Sequence, residues 1–278
     1  MGGTMIKTIL ASLTGFGSDK TVLDAAFAVA RRHNSHVTCL HTRIDPNEGA
    51  ALVGVSATQI HGNLLELTLK INREQQERSG RAQSTFADAS KSHNVPVRDN
   101  PERTEGASAS LLEVTTFLDE TLRRSRYHDL VVMGRVPELA AEQLDSMVMQ
   151  SGRPLLIAPS KPTRQIGEKV MIAWKDGPEA ARALSAALPI LAHAKHVTIV
   201  TLSEHSSENA REKASAESVV EQLGWHGIQA KSQVSNSPVI SASRKLEEIA
   251  FTLDADLLVM GAYGHSRLRE FVFGGVTR

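Results

Sequence analysis

Short apolar runs alternate along the chain with stretches in which apolar residues recur every three or four positions. Ile6-Lys7-Thr8-Ile9-Leu10-Ala11-Ser12, Val37-Thr38-Cys39-Leu40-His41 and Asp129-Leu130-Val131-Val132-Met133-Gly134 read as buried strands. Lys169-Val170-Met171-Ile172-Ala173-Trp174, Val197-Thr198-Ile199-Val200-Thr201 and Asp256-Leu257-Leu258-Val259-Met260-Gly261 read the same way. Between them, Val22, Ala25, Ala26, Val29 and Ala30 fall on one face of a helix. Ala180, Ala183, Leu184, Ala187, Leu188 and Leu191 form a second such face, and Leu246, Ile249, Ala250 and Leu253 a third. Strands that are apolar throughout, alternating with amphipathic helices, predict parallel sheets covered on both sides and joined by right-handed crossovers.

The last three strands echo the first three in order. Lys169 follows Lys7 by 162 positions, Val197 follows Val37 by 160, and Asp256 follows Asp129 by 127. Ordered echoes point to an internal duplication, with domains expected over residues 5–159 and 168–278 and a linker between them. The fall from 160 to 127 gives the first copy 33 extra residues. Most of them are placed around Asp45 to Lys70, with a loop at Asn47-Glu48-Gly49-Ala50-Ala51 and a longer second helix starting at Leu64, Leu65, Leu67 and Leu69. In the first copy, Leu139 to Ala158 supplies a further helix and a final strand. The second copy is expected to lack both, since the sequence stops at Arg278 where that helix would begin.

Composition narrows the function classes. Thirty-one Lys and Arg balance 31 Asp and Glu, which argues against a nucleic-acid binder that neutralises many phosphates. No run approaches the ~18 apolar residues of a membrane helix, and no secretory signal is evident. One cysteine, Cys39, suits a reducing compartment. A cytoplasmic chain without membrane attachment is expected.

In open parallel sheets, ligands bind beyond the carboxyl ends of the strands. There the second copy runs Gly261-Ala262-Tyr263-Gly264-His265-Ser266-Arg267, and Gly274-Gly275-Val276-Thr277 follow further on. Glycines let backbone approach a bulky anion, and a helix starting at Gly274 would offer free N–H groups to phosphate. This G-x-x-G-x9-G arrangement resembles the ATP-binding signature of the universal stress protein family, with Gly275 where that family usually has Ser or Thr. The resemblance covers both halves, so the chain looks like a tandem universal stress protein. It implies two Rossmann-like (HUP-type) α/β sheets, ATP with Mg2+, and a homodimer.

It also implies site roles. Asp176 would accept from the adenine amino group, Trp174 would lie against the base, and Leu202 would sit near the ribose. Gly261, Gly264, His265, Arg267, Gly274, Gly275, Val276 and Thr277 would surround the phosphates. Plainer alternatives stand beside these. Asp176 followed by Gly177-Pro178-Glu179 also suits a helix N-cap; Gly261 and Gly264 suit a simple loop, Leu202 a core position, and His265 and Arg267 a solvated loop.

The first copy departs from the signature. The 162 offset sets Thr14 against Asp176, and the 127 offset sets Pro137 against Gly264 and Met147-Val148 against Gly274-Gly275. Proline lacks a donor and Met147 fills phosphate space, so no ATP is expected there in the family manner. Gly15-Phe16-Gly17-Ser18-Asp19-Lys20 has Lys20 where a dinucleotide fingerprint needs its third glycine. A turn capped by Ser18 or Asp19 is expected, with anion binding as the alternative. No P-loop, nucleophile elbow, zinc set or general base is evident. The expected function is an ATP-binding stress-response regulator with one competent site, in the second domain. Its rivals are a slow ATP hydrolase or transferase using His265 or Asp176, and a nucleotide-free dimeric scaffold.

Overall fold

The computed structural model describes residues 5–43, 62–100, 106–115, 119–134, 141–161, 165–203, 209–236 and 242–262. The chain divides between Arg164 and Gln165 into two compact units. The first unit orders β1 (Thr8–Leu13), α1 (Asp19–His33), β2 (His36–Arg43), α2 (Gly62–Ser92), β3 (Ser108–Thr115), α3 (Glu120–Ser125), β4 (Leu130–Gly134), α4 (Ala141–Gln150) and β5 (Leu155–Ala158). The second orders β6 (Lys169–Ala173), α5 (Pro178–Leu191), β7 (His196–Ser203), α6 (Asn209–Trp225), β8 (Ala230–Asn236), α7 (Ala242–Thr252) and β9 (Leu257–Met260). The expected loop at Asn47 to Ala51 lies outside the described residues.

Every strand pair is parallel. The first sheet runs β3-β2-β1-β4-β5, the second β8-β7-β6-β9. In each, the chain steps outward from the first strand and then returns to pair on its other side. The fold is therefore the predicted Rossmann-like α/β arrangement, repeated. The reversal opens a crevice at the carboxyl ends of β1 and β4, and another at those of β6 and β9.

Burial on both faces explains why the central strands carry no polar alternation. In the second unit, Val170, Ile172, Trp174, Val197 and Ile199 pack with Leu184 and Leu191 of α5 and Val219 and Leu223 of α6. Met171 and Val200 face the opposite way, onto Leu246 and Ile249 of α7. Sequence reading missed β3 and β8. Both are edge strands, and Ala230-Lys231-Ser232-Gln233-Val234-Ser235-Asn236 is largely exposed, as an edge facing water should be.

One register differs from expectation. Thr8 pairs with His36 and Ile9 with Leu130, while Lys169 pairs with His196 and Val170 with Leu257. First strands thus correspond at an offset of 161 rather than 162, although the second and third strands keep 160 and 127. The lysines that suggested 162 stand at strand starts, where packing does not fix identity. A one-residue slip moves every side chain to the other face. Trp174 therefore corresponds to Leu13, Lys175 to Thr14, and Asp176 to Gly15.

The echoed aspartates explain themselves structurally. Asp129 Oδ2 accepts from Lys7 N–H at 2.8 Å and Thr8 N–H at 3.0 Å. Asp256 accepts from Gly167 N–H at 2.8 Å and Glu168 N–H at 2.9 Å. Each carboxylate holds the entry into its unit's first strand, satisfying amides that no ladder partner reaches.

Candidate functional site

The second unit brings four of the expected residues to the carboxyl edge of its sheet. Trp174 and Asp176 follow β6, Leu202 closes β7, and Gly261 follows β9. Gly264, His265, Arg267, Gly274, Gly275, Val276 and Thr277 lie outside the described residues, so the phosphate-facing part of the expected site is not among them.

Asp176 does not cap α5. The N-cap is Gly177, in extended backbone, with no side-chain cap hydrogen bond, and Pro178 opens the helix. Proline at that position needs no N–H partner, so the helix starts without help from Asp176. The carboxylate is exposed on the loop beside the crevice. No ion pair or hydrogen bond involves it among the described residues. The helix-cap alternative is thereby removed.

Trp174, expected against the base, is part of the core of the second unit. Its side chain belongs to the core between the sheet and α5 and α6 and is 9% exposed. Its Nε1–H donates to Ser215 Oγ at 2.9 Å, and its backbone N–H donates to the Val200 carbonyl at 2.8 Å. The indole is thus held in the core by its own N–H, and little of its surface is open to solvent. Leu202 packs with the α7 cluster on the other side of the sheet. Strand alternation puts Trp174 and Leu202 on opposite faces, a consequence of the register that the sequence comparison lacked.

Gly261 has a packing reason to be glycine. A Cβ there would lie 2.7 Å from Ala180 N and from the Glu179 carbonyl carbon. The first unit repeats this contact: a Cβ on Gly134 would lie 3.0 Å from Ser18 Cβ and 3.1 Å from Val22 Cγ2. In both units the glycine at the carboxyl end of the returning strand lets the first helix sit against the sheet. Glu179 brings a carboxylate to the first turn of α5, where the helix dipole favours it, and pairs with Arg182 at 3.6 Å. That helix start already faces negative charge, so a phosphate would need residues after Gly261.

At this edge Asp176 is an exposed carboxylate with no hydrogen bond or ion pair among the described residues. Among the described residues, no three metal-ligating side chains cluster, and no helix is long and apolar enough to cross a membrane. A groove of about 910 Å³ lies in the first unit and is lined by residues that include Lys20, Asp24, Asp88 and His93. Its floor is internally paired: His93 Nε2 meets Asp24 Oδ1 at 2.7 Å and Lys20 Nζ meets Asp24 Oδ2 at 3.0 Å. Those groups are spent on each other.

Two open parallel sheets, each with its strand order reversing beside the first strand, define a tandem Rossmann-like α/β protein. Residues 167–278, which span the second unit, match the model of the Universal stress protein family. The chain is similar in fold to a universal stress protein from Archaeoglobus fulgidus DSM 4304. That similarity covers 91% of this chain and 86% of that one at 13% identity, with a TM-score of 0.63. A functionally unknown protein from Pseudomonas aeruginosa PAO1 is similar over 92% of this chain and 81% of its own, at 16% identity and TM-score 0.51. At such identities the likeness concerns the fold. No curated protein matches the sequence.

Proposed function

We propose that the second unit binds ATP, with Mg2+, at the carboxyl edge of β6, β7 and β9, and that the chain acts as a nucleotide-responsive stress regulator of the cytoplasm. The observation that supports this most directly is Asp176, an exposed carboxylate beside the crevice with no structural duty. A carboxylate there accepts from the exocyclic amino group of adenine, whereas guanine would present a carbonyl oxygen and repel it. Gly264, His265, Arg267 and Gly274 to Thr277 would take the phosphates. ATP then acts as a conformational ligand, biasing self-association as a homodimer or contact with a protein partner. No group among the described site residues is placed as a general base, so turnover is expected to be slow.

A second reading, a nucleotide-free scaffold, draws on Gly261, whose identity is already explained by helix packing, and on Glu179 at the helix start. Calorimetric titration of MgATP separates the two. Wild-type protein should bind in the micromolar range, about -8.2 kcal/mol. Asp176→Ala should weaken that roughly tenfold, the loss of one hydrogen bond to a charged acceptor, with thermal stability unchanged because the carboxylate holds nothing in the fold. Equal affinity in the variant would remove Asp176 from the site, and no heat from wild type would favour the scaffold.

A further inference from the structure

Two buried titratable groups, Asp19 and His41, stand at the carboxyl end of β1, each bonded to its backbone, and neither belongs to the site in the second unit. Asp19, 1% exposed, accepts from Thr14 N–H at 2.8 Å, from Gly15 N–H at 2.8 Å and from Thr14 Oγ1 at 3.0 Å. Two adjacent backbone amides and a hydroxyl converging on one carboxylate form an oxyanion cradle. Burial pushes the Asp19 carboxyl up, while the bonds from Thr14 and Gly15 pull it back toward ionisation.

His41, 2% exposed, adds an independent observation. Its Nδ1 lies 3.0 Å from the Leu13 carbonyl oxygen, which can only accept, so the proton sits on Nδ1. Nε2, on the other edge of the ring, is buried without a hydrogen-bond partner among the described residues. With Nδ1 donating to Leu13, Nε2 meets an oxyanion only as the second N–H of an imidazolium, and a charged ring there favours the ionised form of Asp19. An unpartnered buried nitrogen is costly unless something it can bind comes within reach.

A roof covers the cradle. Gly15 has φ +76°, and a Cβ on it would lie 2.6 Å from Arg78 Cβ and from the Arg78 carbonyl oxygen. Arg81 Nε donates to the Gly15 carbonyl at 2.9 Å, and the Arg78 guanidinium carbon stands 4.4 Å over the Phe16 ring. Two turns of α2, the helix lengthened in this copy, thus close over the loop. In the second unit, Lys175 and Asp176 correspond to Thr14 and Gly15, and Ala180 corresponds to Asp19. Ala180 offers no carboxylate to that loop.

We propose that the carboxyl end of β1 is an oxyanion site whose resident occupant is the chain's own Asp19, and that this occupant keeps free phosphate and carboxylate ligands out of the first unit. At this loop the first unit carries an acid at 19 where the second has alanine at 180, alongside Thr14-Gly15 in place of Lys175-Asp176. The claim concerns the first unit and holds whether or not the second binds a nucleotide.

Inorganic phosphate is the probe, titrated into the full chain against chloride of matched ionic strength, with heat and melting temperature as readouts. Wild type should show no saturable response. Asp19→Ala should melt lower in chloride and bind one phosphate per chain, with its melting temperature rising as phosphate saturates. Asp19→Asn, which fills the same space, should stay closed to phosphate, and Asp19→Ala with His41→Leu should bind at least tenfold more weakly than Asp19→Ala alone. A folded Asp19→Ala that ignores phosphate overturns the proposal, as does equal phosphate binding by Asp19→Asn. Should Asp19→Ala fail to fold in chloride, the proposal requires phosphate to restore it, and no restoration also overturns it.

Discussion

Gly134 and Gly261 show how a single residue type can carry two meanings. As part of a glycine signature, Gly261 points to a ligand. In the structure it is where α5 comes within van der Waals reach of the sheet, and Gly134 holds the same contact against α1. Gly261→Ala is accordingly expected to destabilise the second unit by about 1–3 kcal/mol, the cost of overpacking against backbone that cannot turn aside. Chemical denaturation would measure it. Loss of ATP binding without loss of stability would instead mean that the residue serves a ligand directly. Asp176 followed the opposite course: Gly-Pro after an acid reads as a capped helix start, yet Pro178 makes the cap unnecessary and frees the carboxylate. No pattern in the sequence separates these outcomes, because both depend on where α5 lies.

Among the elements, strands that are apolar throughout were legible wherever they lie in the sheet, and strands broken by polar residues were not. β1, β2, β4, β6, β7 and β9 announce themselves by apolar runs, whereas β3 is broken by Ser108, Ser110 and Glu113, and the largely exposed β8 carries Lys231, Ser232 and Gln233. The one-residue register error arose at a strand start for the same reason, since Lys7 and Lys169 pack against no core. The amino edge of the first sheet also carries a pH dependence. His36, whose ring nitrogens lie 2.9 and 3.0 Å from Ser108 Oγ and Ser110 Oγ, is held below its ordinary value first by burial and then by the nearby His128, with Asp99 opposing. His128 is lowered mainly by burial, against its bond to the Arg124 carbonyl. Both are neutral in the fold and protonate more readily when unfolded. Their contribution is therefore complete above about pH 6.5 and declines as pH falls below it. Melting temperature should be lower at pH 5.5 than at pH 7.5, and His36→Gln should narrow that difference. An unchanged difference would mean that other groups set it.

At the scale of the whole molecule, one topology has been used twice with different loops at the working edge. In the first unit, Asp19 and α2 close the crevice loop from within. In the second, the equivalent loop leaves Asp176 facing outward. The duplication and the α/β architecture were readable from ordered echoes of hydrophobic runs. The closed state of the first unit was not, because Arg78 and Arg81 lie more than sixty positions from the glycine they cover. This asymmetry predicts one nucleotide site per chain, and the number of MgATP molecules bound per chain at saturation measures it. One ATP, lost in Gly264→Pro and retained in Asp19→Ala, is the predicted result. Two ATP per chain, or one that survives Gly264→Pro, would contradict it.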